Sequence, residues 1–346
     1  MKKYLSFIAG AALLLAAASC SKFSQGENAV QLPDGDVYHE VTLGVGTDEA
    51  STRASGTGVV TGEDNISSVQ VFAFQSDGNV ASYQKNAGGK SVTMTLRKDV
   101  AYTVWAVANV SADLSGVKTL SALQATAMAL TSESRTGFQM AGSASLTAGA
   151  SSLTVTVKRL VARINLKSVT QSAAFKTSAG AMTIKDVFLS NVVGNQNLAG
   201  SASASTWYNK MGRYDGTQSH FVTTSTAGAP AMTAADAPSL PYPFYCYANS
   251  SSVTPNGWST GTYAGQHTML VIAATFGSGS TVYYYPIDIN GQIGGAVERN
   301  TTYDVTATIS NYGSTDEPNK EITSGSATIS VTAAAWTPGA AIDKTI

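Results

Sequence analysis

Charge is what this sequence has least of. Asp, Glu, Lys and Arg make up 12% of the 346 residues, about half the usual share of roughly 25% in soluble proteins. The surface must therefore be built from Ser, Thr, Asn, Gly and Ala, which fits a β-protein outside the cytoplasm better than a cytosolic enzyme. The few charges nearly cancel, at a formal net charge of −1, so nucleic acid is not expected as a partner. Histidine is confined to His39, His220 and His267, none with a second ligand-type residue at metal spacing. Cysteine is confined to Cys20 and Cys246. If Cys20 is consumed by modification, Cys246 stands alone and no intrachain disulfide can form. Its setting, PFYCYAN, is that of a buried inert thiol rather than a nucleophile.

Other chemistry is missing too. Asp34-Gly35-Asp36 lacks the further ligands of a calcium loop. Gly277-Ser278-Gly279 precedes no helical pattern and so makes no phosphate loop. Asn300-Thr301-Thr302 matches a glycosylation acceptor, a motif frequent by chance. Tyr283-Tyr284-Tyr285 and the cluster Tyr242, Phe244, Tyr245 and Tyr247 suit either sugar stacking or cross-strand packing, and packing is the commoner use. No acid–base or metal constellation emerges, so neither an enzyme nor a cofactor is expected.

What is present begins with an address. Lys2 and Lys3 precede an apolar run from Leu5 to Leu15, then Ala16-Ala17-Ala18-Ser19-Cys20. This is a secretory signal over residues 1–19, too short to act as a stop-transfer helix. A cysteine directly after small residues resembles a bacterial lipobox, in which the thiol is acylated and becomes the mature N-terminus. An ordinary signal peptide with an incidental cysteine is the alternative. Each buried CH₂ of an acyl chain contributes about 0.8 kcal/mol, so several chains anchor stably. No later segment is apolar and long enough to span a membrane as a helix.

Residues 20–53 carry Lys22 and Arg53 against Glu27, Asp34, Asp36, Glu40, Asp48 and Glu49, so this is the acidic part of an otherwise near-neutral chain. Within it Val41, Leu43 and Val45 alternate with Thr42, Gly44 and Gly46, the period of a half-buried strand. A small, polar stretch containing Arg53 follows.

The chain is long enough for about two domains. Strand patterns cover Ile66–Phe74, Val92–Arg97, Ala101–Val110 and Leu153–Val157. In the first of these, Val69, Val71 and Ala73 face one way and Phe72 and Phe74 the other, so that strand has apolar neighbours on both sides. Leu114, Val117, Leu120, Leu123, Ala127 and Leu130 recur at three and four, predicting a short helix within Asp113–Ser132. Leu153, Val155 and Val157 have odd parity, whereas Leu160, Ala162, Ile164 and Leu166 have even parity. The switch requires a bulge or a passage between two cores, and it sets the expected domain boundary between 54–158 and 159–346. Later strands are expected over Met182–Leu189, His267–Phe276, Val282–Ile289 and Thr301–Ile309, with long polar loops over Ala199–Asp236 and Asn249–Gly265. A last strand, Ala327–Trp336, sets Ile329, Val331, Ala333 and Ala335 on one face.

Six features in this order resemble the fimbrillins, the FimA- and Mfa-type major subunits of Bacteroidales type V pili. They are the lipobox ending at Cys20, Ser51-Thr52-Arg53-Ala54, the run Tyr102–Val110, Arg159-Leu160-Val161-Ala162-Arg163-Ile164, Arg299–Val305, and Ser326–Trp336. The resemblance implies an all-β fold of two tandem transthyretin-like β-sandwich domains. It also implies travel to the outer membrane as a lipoprotein. An Arg-specific protease then cuts at Arg53–Ala54, and the strand of Val41, Leu43 and Val45 is lost. A C-terminal segment of another copy, here Ile329, Val331, Ala333 and Ala335 or the tail with Ile342 and Ile346, takes its place. Strand addition of this kind restores backbone hydrogen bonds and side-chain register together, and a head-to-tail contact that does not close gives a filament. The implied partners are other copies of the chain, other pilus subunits, the protease and, before maturation, the membrane. The competing expectation is a non-polymerising tip or anchor lipoprotein that binds host or glycan ligands.

Overall fold

The computed structural model describes residues 30–31, 36–47, 62–200, 204–210, 240–255, 263–315 and 327–335. The fold is all-β with short helices, built as two β-sandwiches in tandem. In the first half the strands are β1 (Val37–Thr47), β2 (Val69–Phe74), β3 (Val80–Asn86), β4 (Ser91–Arg97), β5 (Tyr102–Ala108), β6 (Met140–Leu146) and β7 (Ser152–Arg159). The second half holds β8 (Val161–Gln171), β9 (Met182–Ser190), β10 (Tyr242–Tyr247), β11 (Met269–Phe276), β12 (Tyr283–Asp288), β13 (Thr301–Ile309) and β14 (Ala327–Ala335).

One layer of the first sandwich is β3–β2–β5–β6, antiparallel throughout. The other centres on β1, which pairs antiparallel with β4 and parallel with β7. Strand β7 turns the corner between them, since its last residues, Lys158 and Arg159, pair with Ala141 and Met140 of β6. Gly142 sits at that corner, where a Cβ would run into the Thr156 carbonyl. The core between the layers sets Val41, Leu43, Val45, Met94 and Val155 against Val69, Val71, Val104, Ala106 and Met140.

The parity read from the sequence places the faces correctly. Val69, Val71 and Ala73 enter this first core, while Phe72 and Phe74 enter a second, joined from β5 by Trp105 and Val107. That outer face is covered by the segment after β5, through Val110, Leu114, Leu123, Leu130 and Phe138. Only Leu120–Gln124 of the segment is an α-helix, α1, capped by Thr119 Oγ1 accepting from the Ala122 amide at 3.2 Å. Ala127–Ala129 instead pairs as a strand with Asn195–Asn197 of the second half. The apolar spacing thus reflects a winding cover more than a helix, because its backbone groups bond to a neighbouring strand.

At Leu160 the chain bends between β7 and β8. Val155 and Val157 belong to the first core, and Leu160, Ala162, Ile164 and Leu166 belong to the second. The second sandwich has layers β10–β8–β13–β14 and β9–β11–β12. Two further short helices, α2 (Ala173–Ala179) and α3 (Ile289–Ile293), were not expected from the sequence. The second core runs without a break from Phe72 and Trp105 through Leu160 to Ile272 and Val305, so both halves share it.

Candidate strand-exchange site

Strand β1 is bonded along both edges. Tyr38 to Gly44 oppose Arg97 to Ser91 of β4, and Thr42 to Thr47 oppose Ser152 to Val157 of β7. The side chains of Val41, Leu43 and Val45 are 0%, 0% and 5% exposed, while Glu40 and Thr42 face solvent. Alternation puts the apolar set in the core, and a one-residue slip would turn it out. At the entry, Arg97 bonds Asp36 at 3.0 Å and Asp99 at 2.8 Å, and the pairing with Arg97 holds the Asp99 carboxyl below the ordinary range. His39 Nε2 lies 3.0 Å from the Ala150 carbonyl. Val30–Gln31 pairs with Tyr38 and Val37, so this short piece is bonded to β1.

Removing β1 would leave β4 and β7 about two strand spacings apart, or roughly 10 Å. Their facing amides and carbonyls would lose their partners. Three apolar side chains at about 1.5–3 kcal/mol each amount to about 5–9 kcal/mol, comparable with the whole stability of a domain at about 5–15 kcal/mol. An empty groove of this kind has a strong thermodynamic demand for an occupant.

The expected donor lies in the second half of the chain. β14 is an edge strand, antiparallel to β13 from Ala327↔Ile309 to Ala335↔Thr301. Val331 stands opposite Val305 and packs on the second core, whereas Thr328, Ser330, Thr332 and Ala333 are exposed. Ile329 pairs with Ala307 and Ala333 with Tyr303. Cys20, Arg53, Ala54 and the tail 336–346 lie outside the described residues.

Past the expected cut, the chain is fixed where the halves meet. Glu63 is 3% exposed and bonds Arg163 Nη1 of β8 at 2.8 Å. The Tyr245 hydroxyl of β10 donates to the second oxygen of the same carboxylate. Arg159 Nε donates to the Glu63 carbonyl at 3.0 Å, and Arg159 Nη1 to Asn300 Oδ1 at 3.3 Å. Nearby, the Tyr247 hydroxyl donates to Glu133 at 3.0 Å, and the Gln139 amide donates to the other oxygen at 2.9 Å. Burial pushes the Glu133 carboxyl up to about 7, against those two hydrogen bonds. These acids were missed from the sequence. The available signal was Arg159 and Arg163, two cations inside an apolar strand run, which need buried acceptors.

The remaining chemistry-bearing candidates are structural. Cys246 is fully buried and its thiol is pushed up to about 12 by burial, the state of an inert thiol. Tyr242, Phe244, Tyr245 and Tyr247 pack in the second core. His267 Nδ1 contacts Asp288 at 2.8 Å, and Asp288 also caps α3 through the Gly291 amide. Among the described residues no group of three His, Cys, Asp or Glu side chains is placed to hold a metal, and no helix is long and apolar enough to cross a membrane.

Residues 38–172 match the family model of the major fimbrial subunit protein (FimA). No curated protein matches the sequence significantly. Among solved structures, the chain resembles a candidate cell adhesion protein of Bacteroides eggerthii, at 25% identity, TM-score 0.63, and coverage of 86% of this chain and 95% of that one. It also resembles a fimbrilin (fimA) of Porphyromonas gingivalis, at 14% identity and TM-score 0.61 over 86% and 97% of the two chains. The latter likeness concerns the fold.

Proposed function

We propose that the chain, whose residues 38–172 match the major fimbrial subunit family model, is a fimbrillin, a structural subunit of a surface pilus that polymerises by strand exchange. It is exported as a lipoprotein acylated at Cys20 and held at the outer membrane. An Arg-specific protease cuts at Arg53–Ala54. Residues 20–53 then leave, and the mature chain, with sandwiches over 54–158 and 159–346, accepts the C-terminal strand of another copy.

The observation that carries this reading is the position of β1. It is bonded on both edges and buries three apolar side chains, and Val30–Gln31, also within residues 20–53, is bonded to it. One cut after it leaves it attached by non-covalent contacts alone. β14, bonded to one strand among the described residues and with Thr328, Ser330, Thr332 and Ala333 exposed, leaves its own sheet at a smaller cost. An arriving strand that keeps the direction of β1 restores an antiparallel ladder with β4 and a parallel one with β7. Its apolar side chains refill the sites of Val41, Leu43 and Val45.

The test is limited trypsin treatment of the folded protein, followed by mass spectrometry and electrophoresis in mild detergent. The parent is expected to be cut after Arg53 and to form a ladder of oligomers. Arg53→Ala is expected to stay monomeric, and equal polymerisation of that variant would overturn the cleavage step.

A further inference from the structure

A cleft of about 480 Å³ opens on the second sandwich, away from the groove of β1. Three pieces of chain form it: the paired residues Val192–Val193 and Trp207–Tyr208, the stretch after β10, and the stretch before β13. Its volume falls within the range of about 300–1,000 Å³ common for small-molecule sites. The floor is tied by the Asn249 and Val297 amides, each donating to the other's carbonyl at 2.9 and 3.0 Å. Asn249 Nδ2 donates further to the Gln266 carbonyl and to Thr268 Oγ1. A floor so bonded is shaped before any ligand arrives.

The polar groups around it are Gln196, Ser250, Ser251, Glu298 and Arg299, with Trp207 as the aromatic wall. Gln196 is 4% exposed, and its Nε2 donates to the Leu160 carbonyl at 3.1 Å. Its Oε1 is buried and has no hydrogen-bond partner among the described residues. Trp207 is held by its neighbours: a Cβ on Gly265 would run into its six-membered ring, and Tyr263 meets it in a T-shaped contact with centroids 5.6 Å apart. Glu298 and Arg299 bring one charge of each sign, so the cleft selects for neither an anion nor a cation.

We propose that this cleft binds a neutral pyranose ring. The ring's C–H face lies on the Trp207 indole, whose negative π-face suits it. Its hydroxyls meet Ser250, Ser251, Glu298 and Arg299, which between them both donate and accept. Such a ring occurs in polysaccharides and in glycoprotein glycans alike. The aromatic residues that stood out in the sequence as sugar-stacking candidates, Tyr242 to Tyr247, are packed in the core. The wall is instead Trp207. The inference stands apart from polymerisation, and its failure would leave that reading untouched.

The test is saturation-transfer NMR on the full-length protein with glucose, galactose, mannose and N-acetylglucosamine. A soluble α-glucan and a high-mannose glycopeptide form separate arms that distinguish polysaccharide from glycoprotein sources. Binding by the parent is expected, with at least tenfold weakening in Trp207→Ala. Ser250→Trp, on an exposed residue, fills the cleft without touching the core and should abolish binding with the melting temperature unchanged. The proposal is overturned if no sugar binds the parent or if binding survives Ser250→Trp.

Discussion

At the scale of single residues, the junction between the two halves rests on buried carboxylates whose environments differ. Glu63 is paired with Arg163 at 2.8 Å and accepts from the Tyr245 hydroxyl. Removing one partner of such a pair strands the other in a low-dielectric interior, at about 3–5 kcal/mol. Glu63→Gln is therefore expected to lower stability by that order in urea unfolding, whereas an exchange at exposed Asp64 should change it by less than about 0.5 kcal/mol. Glu133 accepts two hydrogen bonds and makes no ion pair among the described residues, and burial raises it from 4.5 to about 7. In the folded state it thus holds its proton over a range where the unfolded chain has released it. Its contribution to stability is complete below the unfolded value and is lost as pH rises through about 7. The loss is on the order of 3 kcal/mol at about 1.4 kcal/mol per pH unit. Glu133→Gln removes that titration, so its stability should be flatter than the parent's between about pH 5 and 8. A parallel slope in both proteins, measured by urea midpoints across that range, would refute the assignment.

At the scale of elements, the decisive contrast is between a central strand and an edge strand. β1 has two ladders and three buried apolar side chains, while β14 has one ladder among the described residues, with Thr328, Ser330, Thr332 and Ala333 exposed. If β14 is the donor, a synthetic peptide of residues 327–335 should compete for the groove and shorten the oligomer ladder after cleavage. A peptide of residues 336–346 should not. The reverse result would move the donor to the tail with Ile342 and Ile346. Exchange of the β4 and β7 amides, slow in the uncut protein, should speed up after release of residues 20–53 and slow again once the peptide is bound.

Much of this organisation was legible in the sequence. Alternation in VTLGV, in VQVFAF and in YTVWAVA placed the faces of β1, β2 and β5, because period 2 is fixed by strand geometry alone. Strand β6 was not legible. Its residues, MAGSASL, are small because the chain passes a corner where Gly142 has no room for a side chain, and small residues carry little hydrophobic signal. β10 was obscured for the opposite reason: YPFYCY is apolar on both faces, with Phe244 opposite Ile164 in one direction and Tyr245 opposite Arg163 in the other. The Glu63–Arg163 pair was invisible because its partners are far apart in the chain, and only the fold brings them together.

At the scale of the whole molecule, the two sandwiches do not behave as beads on a string. The second core includes Phe72, Trp105 and Leu123 from the first half with Leu160, Tyr245 and Val297 from the second. The pairing of Ala127–Ala129 with Asn195–Asn197 ties backbone to backbone across the same junction. Linked domains with small polar interfaces move independently, but here separation would expose a continuous apolar surface. A filament of such subunits can bend only where one copy meets the next. The expected outcome in calorimetry of the uncut protein is one transition with equal calorimetric and van't Hoff enthalpies. An isolated fragment of residues 54–158 should fail to fold, even when residues 20–53 are supplied in trans, because Phe72, Phe74, Trp105 and Val107 would lose part of their cover. If instead that fragment melts cooperatively near the temperature of the full chain, the halves are independent, and the junction of Glu63, Glu133 and their partners is a contact between two finished domains.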